Sequence, residues 1–259
     1  MPAANGLSAL PVTVCKCCGD TASYFGSVDF HKNCEIAKGH NVLPPSGIAV
    51  PYHRCGNCGF LFTIVFDSFT PEDFGELVYN DDYALVDPDF AALRPQTNAA
   101  FLAELFSAYP QTRILDYGGG SGLTASLLRD AGFTDVTTYD PFVAAHSTRP
   151  EGRFDLIICF EVVEHSPDPH GTFADIDDLL APDGIVLFST LVQPADIESA
   201  RLDWWYAAPR NGHLSLHSRE SISQIARPLG FAFGSFNENL HVLFRTVPAF
   251  ARHLLLPAA

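Results

Sequence analysis

From residue 96 onward the chain alternates between two hydrophobic periods. NAAFLAELFSAY places apolar residues at helical spacing, whereas RILDY (113–117), DVTTYD (135–140), FDLIICF (154–160) and IVLFST (185–190) are short apolar or alternating runs of strand length. Helices are predicted between them, over about 122–131 and 171–180. SRESISQIARPLG frames another, with Ser at its start and Gly at its stop. APDG reads as a turn into the strand at 185, and FAFGSFNENLHVLFRT as an antiparallel strand pair. Strands alternating with helices predict an α/β fold: a doubly wound, mostly parallel sheet with helices on both faces.

Residues 1–66 break that rhythm: they are rich in Cys, punctuated by Gly and Pro, and lack helical periodicity. Residues 67–90 carry eight acidic residues and no Lys or Arg, and read as a solvated connector with aromatic anchors. The expected division is a Cys-rich module (1–66), an acidic connector (67–95) and an α/β domain (96–259).

Composition narrows the function. The 259 residues are 47% hydrophobic and 17% charged, enough for a sizeable core. Net charge is −15 and no basic run occurs, so neither nucleic acid nor an anionic membrane surface is an expected partner. MPAANGLSALPVTV has no basic start and no long apolar run, so it is not read as a secretory signal. No stretch approaches the roughly 20 apolar residues that span a bilayer. The expected location is cytoplasmic; the oligomeric state is left open.

Six of the seven cysteines lie in the first 58 residues, which in a reducing compartment points to metal. Cys15-Lys-Cys17-Cys18-Gly19 and Cys55-Gly-Asn-Cys58-Gly59 both contain CxxCG. Cys15, Cys18, Cys55 and Cys58 are therefore the expected ligands of a structural zinc ion, closed by four thiolates in a small zinc-ribbon-like module. Cys17 and Cys34 are spare, His31 or His53 could replace a ligand, and Cys159 reads as core.

Asp116-Tyr-Gly118-Gly-Gly120-Ser-Gly122 joins a buried strand to a helix, where glycines let backbone approach a ligand beside a helix N-terminus. A dinucleotide fingerprint counted from Gly118 would need glycine at Leu123, so that pattern fails. The loop instead resembles motif I of class I S-adenosylmethionine (SAM) methyltransferases. FDLIICFEVVEH resembles that family's fourth-strand motif, and LAPDG its turn before the fifth strand. The resemblance implies a Rossmann-like methyltransferase fold in which Asp116, Gly118, Gly120 and Gly122 wrap SAM. Asp140, ending the second strand, would hold the ribose at the switch point of the sheet. Only about 13 residues separate Asp140 from Phe154, so the family's third-strand region is expected to be short or absent. Together with the CxxCG pairs, the layout resembles bacterial sugar and small-molecule methyltransferases with an N-terminal zinc-binding domain.

FEVVEHSPDP follows the fourth strand, where the family faces its substrate. Three readings stand for Glu161, Glu164 and His165: plain turn residues; His165 as a general base with a near-neutral pKa; or a second divalent-cation site on Glu161, Glu164, His165 and His213. The last resembles the ExxEH of ubiquinone-pathway O-methyltransferases and small-RNA 2′-O-methyltransferases. His213 lies in WWYAAPRNGHLSLHS, whose aromatic and polar density marks Trp205, Tyr206, Arg210 and Asn211, with Glu161, as substrate contacts. The expected catalytic residues are His165, His213 and Glu164. The expected function is SAM-dependent methylation of oxygen or carbon on a small polar metabolite such as a sugar derivative. A catalytically silent zinc and SAM-domain scaffold, or a metal-dependent RNA 2′-O-methyltransferase, are the alternatives.

Overall fold

The computed structural model describes residues 11–255. Residues 1–10, which carry most of the segment read for a secretory signal, and residues 256–259 lie outside the described residues.

Eleven strands are described: β1 (Val12–Val14), β2 (Thr21–Asp29), β3 (Ala49–Cys55), β4 (Leu61–Phe62), β5 (Arg113–Tyr117), β6 (Asp135–Tyr139), β7 (Phe154–Phe160), β8 (Leu180–Ser189), β9 (Ser215–Leu216), β10 (Ala232–Ser235) and β11 (Leu240–Phe244). Helices α1 (Pro71–Leu77), α2 (Tyr83–Val86), α3 (Leu93–Leu105), α4 (Leu123–Asp130), α5 (Pro169–Leu179), α6 (Ile197–Ala200), α7 (Arg219–Ala226) and α8 (Arg252–Leu255) complete the frame.

The main sheet runs β10-β11-β8-β7-β5-β6. The pairs β6–β5, β5–β7 and β7–β8 are parallel, and β11 is antiparallel to both β8 and β10. Alternation of side chains across the pleat explains why the central strands are apolar throughout. Ile157, Cys159, Val186 and Phe188 face one layer with Phe173 and Ile176 of α5 and Ile222 and Ile225 of α7. Leu156, Ile158, Ile185 and Leu187 face the other, with Leu102 of α3 and Leu128 of α4. The doubly wound sheet is thus as predicted, and β6 is the edge of its parallel part. Residues 141–153 form no strand; Asp140 N bonds to His146 O across a tight turn, which accounts for the missing third strand.

Two sequence expectations are corrected. APDG is not a free turn: β8 already begins at Leu180, opposite Phe154, and its register jumps before Leu156 meets Ile185. Pro182 and Asp183 protrude there as an exposed irregularity. Nor is 67–95 a plain solvated connector. Thr70 caps α1, its hydroxyl accepting from Asp73 N while Asp73 accepts from Thr70 N, with Pro71 at the first helical position. Phe74, Val78, Tyr83 and Val86 are buried, so the segment is a strap that folds onto the molecule.

The Cys-rich segment forms a second sheet, β1-β2-β3-β4-β9. Its last strand comes from residues 215–216, with Leu61 opposite Leu216 and Phe62 opposite Ser215. The two regions therefore share a sheet. Among the described residues, no helix is long and apolar enough to cross a membrane.

Candidate active site

The glycine loop leaves β5 and enters α4 through Gly122. Gly118, Gly120 and Gly122 have φ of 71°, 55° and 77°, a region that favours glycine. A Cβ on Gly118 would stand 2.4 Å from a methyl of Val162, whereas one on Gly120 would meet nothing within 4 Å because it faces a cavity. Gly119, not singled out from sequence, is equally constrained: its Cβ would fall 2.3 Å from Asp116 Oδ2. The loop is pinned from β6. Gly118 N donates to Tyr139 O (2.7 Å), and the Asp140 carboxylate accepts from Gly120 N and Phe142 N, both at 2.9 Å.

Asp116 is buried and its Oδ2 has no hydrogen-bond partner among the described residues. Burial, and then the nearby Asp140 charge, push its pKa up to about 7. A buried, unpaired carboxylate oxygen beside an open glycine loop fits a ligand that brings positive charge and hydrogen-bond donors, as SAM does.

The cavity in front of this loop measures about 1010 Å³. That is the top of the range for one drug-sized ligand, and leaves room for a cofactor and an acceptor together. Its far wall was missed from sequence. The strap supplies Phe74, Tyr79, Tyr83 and Asp87, the Cys-rich segment supplies Cys34, α3 supplies Arg94, and Phe142 follows Asp140. Tyr79 packs on Phe142 (centroids 5.6 Å apart), Tyr83 (5.2 Å) and His165 (6.3 Å). The only hint was five aromatics, Phe69, Phe74, Tyr79, Tyr83 and Phe90, in an acidic stretch.

Beyond β7 the chain makes one tight turn, Val163–His165, before Asp168 accepts from Gly171 N and caps α5. Glu161 sits at φ 55°, unusual for a side-chain-bearing residue and typical of functional sites. Its N donates to Ser189 Oγ (2.9 Å), whose hydroxyl donates back to Glu161 Oε1 (2.8 Å).

Glu164, His165 and His213 each offer a ligand atom within 4.8 Å of the others. Glu161, expected with them, stands outside this cluster. Glu164 is wholly buried; Oε1 accepts from Tyr206 Oη at 2.6 Å and Oε2 has no hydrogen-bond partner among the described residues. Burial, then Glu161, push its pKa up to about 8. His213 Nδ1 lies 2.8 Å from Tyr206 O. A carbonyl only accepts, so Nδ1 carries the proton and Nε2 keeps its lone pair. Burial, then Arg94, hold His165 at about 4; burial, then His165, hold His213 at about 3. The near-neutral value expected of His165 is thus corrected: enclosure keeps both rings uncharged, the form that ligates a metal.

The remaining expected contacts divide. Trp205, 43% exposed, and Tyr206 line the cavity. Asn211 borders it, but its amide is spent on Cys34 N and Val86 O, both at 2.9 Å. Arg210 does not face the cavity: buried, it donates to Val78 O and Asn80 Oδ1 and so fastens the strap. A second cavity of about 460 Å³ shares Arg94, Glu161, Trp205 and Tyr206 with the first, and reaches past Ser189 to Asn239 without touching the glycine loop.

Away from this pocket, Cys15, Cys18, Cys55 and Cys58 converge within 4.8 Å. The pairs Cys15–Cys58 and Cys18–Cys55 are 3.6 and 3.5 Å apart. Tetrahedral sulfurs about 2.3 Å from a shared zinc would be about 3.8 Å apart, so the set fits that ion. Gly19 and Gly59, at φ 75° and 73°, turn the two knuckles. Cys17, one of the two spare thiols, donates to Ser221 O at 3.2 Å.

A family model described as a methyltransferase domain matches residues 89–233. A ubiquinone biosynthesis O-methyltransferase of Actinobacillus pleuropneumoniae serotype 5b (strain L20) is 30% identical over 106 residues, covering 30% of this chain and 45% of that protein. One from Bordetella avium (strain 197N) is 29% identical over 115 residues, covering 35% and 47%. The chain spans less than half the length of these curated relatives. Among solved structures, an O-methyltransferase family protein from Burkholderia thailandensis superimposes with a TM-score of 0.50 at 16% identity, over 70% of this chain and 64% of that one, a likeness of fold.

Proposed function

Because the chain belongs to the methyltransferase family and is a class I SAM-dependent enzyme, we propose that it methylates a hydroxyl oxygen of a small molecule, with a divalent cation held by Glu164, His165 and His213. The observation that carries this reading is the convergence of those three side chains at the end of β7, beside the glycine loop. Two uncharged imidazoles and an unpaired carboxylate oxygen form a donor set suited to a cation. When bound, SAM supplies an activated methyl group, and the cation would lower the acceptor hydroxyl's pKa.

The chain's own residues do the remaining work. Asp116 near the end of β5 and Asp140 after β6 orient the cofactor against the glycine loop. Tyr79, Phe142 and Tyr83 wall the transfer path, and alignment of acceptor, methyl and sulfur along it supplies much of the rate. The acceptor's hydroxyl would sit in the first cavity beside the cation, and Arg94, Trp205 and Asn239 would hold the rest of the acceptor where it extends into the adjoining second cavity. The formal charge of −15 favours a small hydroxylated metabolite, a sugar derivative among them, over a nucleic acid. Zinc on Cys15, Cys18, Cys55 and Cys58 would be structural, since four thiolates leave no open position.

The test is transfer of labelled methyl from SAM to phenols, catechols and sugars by EDTA-treated protein, with and without added Mg²⁺ or Mn²⁺. Cation-dependent O-methylation is expected. Cation-independent transfer removes the metal from the reading, and failure to bind either SAM or its demethylated product, S-adenosylhomocysteine, removes the activity itself.

A further inference from the structure

We infer that Tyr52 is a positioning residue for His213, and that through it the cysteine-rich segment sets the cation and acceptor half of the pocket while leaving the cofactor half alone. The inference rests on the reading above, in which His213 belongs to the active centre.

Tyr52 lies in β3, fully buried among Phe25, Phe66, Trp204 and other apolar side chains. Phenylalanine would fill that space as well. A buried hydroxyl in such surroundings is costly unless it is used, and Tyr52 Oη donates to the main-chain carbonyl of His213 at 2.7 Å. His213 passes the constraint on in two directions. Its ring Nδ1–H donates to Tyr206 O (2.8 Å), and Tyr206 Oη donates to Glu164 (2.6 Å). The next residue, Leu214, donates its N–H to Glu164 O (2.8 Å) and accepts from Thr63 N (3.1 Å). Three buried donors thus lead from the zinc-binding sheet to the carboxylate of the cluster.

The knuckles join the same arm. Gln193 Nε2 bridges Gly59 O and Leu216 O, each at 2.7 Å, and Ser218 Oγ donates to Cys58 O at 2.6 Å. The glycine loop, by contrast, is held from β6 through Tyr139 and Asp140. Two separately supported halves therefore meet in one pocket. A networked side chain of this kind orients a functional group without touching substrate.

The experiment uses the zinc-loaded full chain and its Tyr52→Phe variant, with histidine ring ¹⁵N NMR as the first readout. His213 signals are assigned by loss in His213→Asn. In Tyr52→Phe the His213 ring resonances are expected to shift or broaden while those of His241 stay in place. Mn²⁺ affinity should fall about tenfold, the scale of one lost buried hydrogen bond. S-adenosylhomocysteine affinity should stay within about twofold. Superimposable His213 resonances in a folded variant overturn the inference. Should Tyr52→Phe not fold, Gln193→Ala, which cuts the bridge between knuckle and arm, is read in the same way, and an unmoved His213 there overturns it equally. Wild-type protein that binds S-adenosylhomocysteine but no Mn²⁺ would remove the cation reading, while the ring comparison still decides the role of Tyr52.

Discussion

The hydroxyl of Tyr206 donates to Glu164 Oε1 across 2.6 Å, in a contact closed to solvent on both sides. A hydrogen bond to a carboxylate is stronger than one to the neutral acid, so this contact opposes the burial that raises Glu164. In Tyr206→Phe the ring can keep its packing against His213, whose centroid lies 4.1 Å away, while Glu164 Oε1 loses its partner and neither carboxylate oxygen is then paired. The expected cost is about 1–3 kcal/mol of stability by urea denaturation. Mn²⁺ affinity at neutral pH should also fall, because a proton then competes better for Glu164. Unchanged stability and affinity would mean that the hydroxyl supports nothing here.

The buried titratable groups give the metal-free protein a stability maximum near neutrality. Glu164, raised to about 8, and Asp116, raised to about 7, stay protonated in the fold after the unfolded chain has ionised. Their stabilising effect is therefore lost as pH rises from the ordinary carboxyl range through those values. His165, His213, His217 and His241, held at about 4, 3, 4 and 4, act in the opposite sense: stability is lost as pH falls below the ordinary 6.5. Each group contributes at most about 1.4 kcal/mol per pH unit. Denaturation midpoints should thus rise from pH 5 to about 6.5 and decline towards pH 8. Saturating Mn²⁺ should remove much of the decline, because a cation favours ionised Glu164. A profile that keeps rising to pH 8 without metal would contradict the enclosure of Glu164.

CKCC offers three thiols, and the geometry selects two. Cys17→Ala should keep one zinc per chain by native mass spectrometry, costing only the packing and weak hydrogen bond of a buried thiol, about 1 kcal/mol. Cys18→Ala should lose the zinc and melt the β1–β3 region, because such an ion supplies folding free energy outright. Equal zinc loss in both variants would put Cys17 among the ligands.

How much of this was legible depended on whether the cause was local. The strands of the main sheet announced themselves because both faces are covered, so FDLIICF and IVLFST are apolar at nearly every position. The glycine loop was readable because positive φ demands glycine at 118, 120 and 122. Tyr79, Arg94 and Cys34 were not, since nothing in a residue's neighbourhood along the chain says that a strap will fold over a pocket. Arg210 misled for the same reason: an arginine in a polar loop looks like a substrate contact until the carbonyl of Val78 is found beside it. The enclosure that depresses His165 is likewise a property of the assembled walls.

Asp116 and Asp140 should be separable by the pH dependence of cofactor binding. If ionised Asp116 faces the cofactor's positive charge, affinity for SAM should fall about tenfold per pH unit as pH drops below about 7, where a proton takes the carboxylate. Asp116→Asn should bind more weakly at pH 8 and lose that dependence. Asp140→Ala removes the anchors of Gly120 N and Phe142 N and, with them, the proposed acceptor for ribose hydroxyls. Affinity at pH 8 should then drop by about 1.5–3 kcal/mol, the value of hydrogen bonds to a charged group. Because the Asp140 charge also helps to raise Asp116, the same variant should move the acidic limb to lower pH. Titration calorimetry at pH 6 and pH 8 reads both effects. Weakened binding with an unmoved limb would mean that burial alone sets Asp116, and unchanged binding would take Asp140 out of the cofactor site.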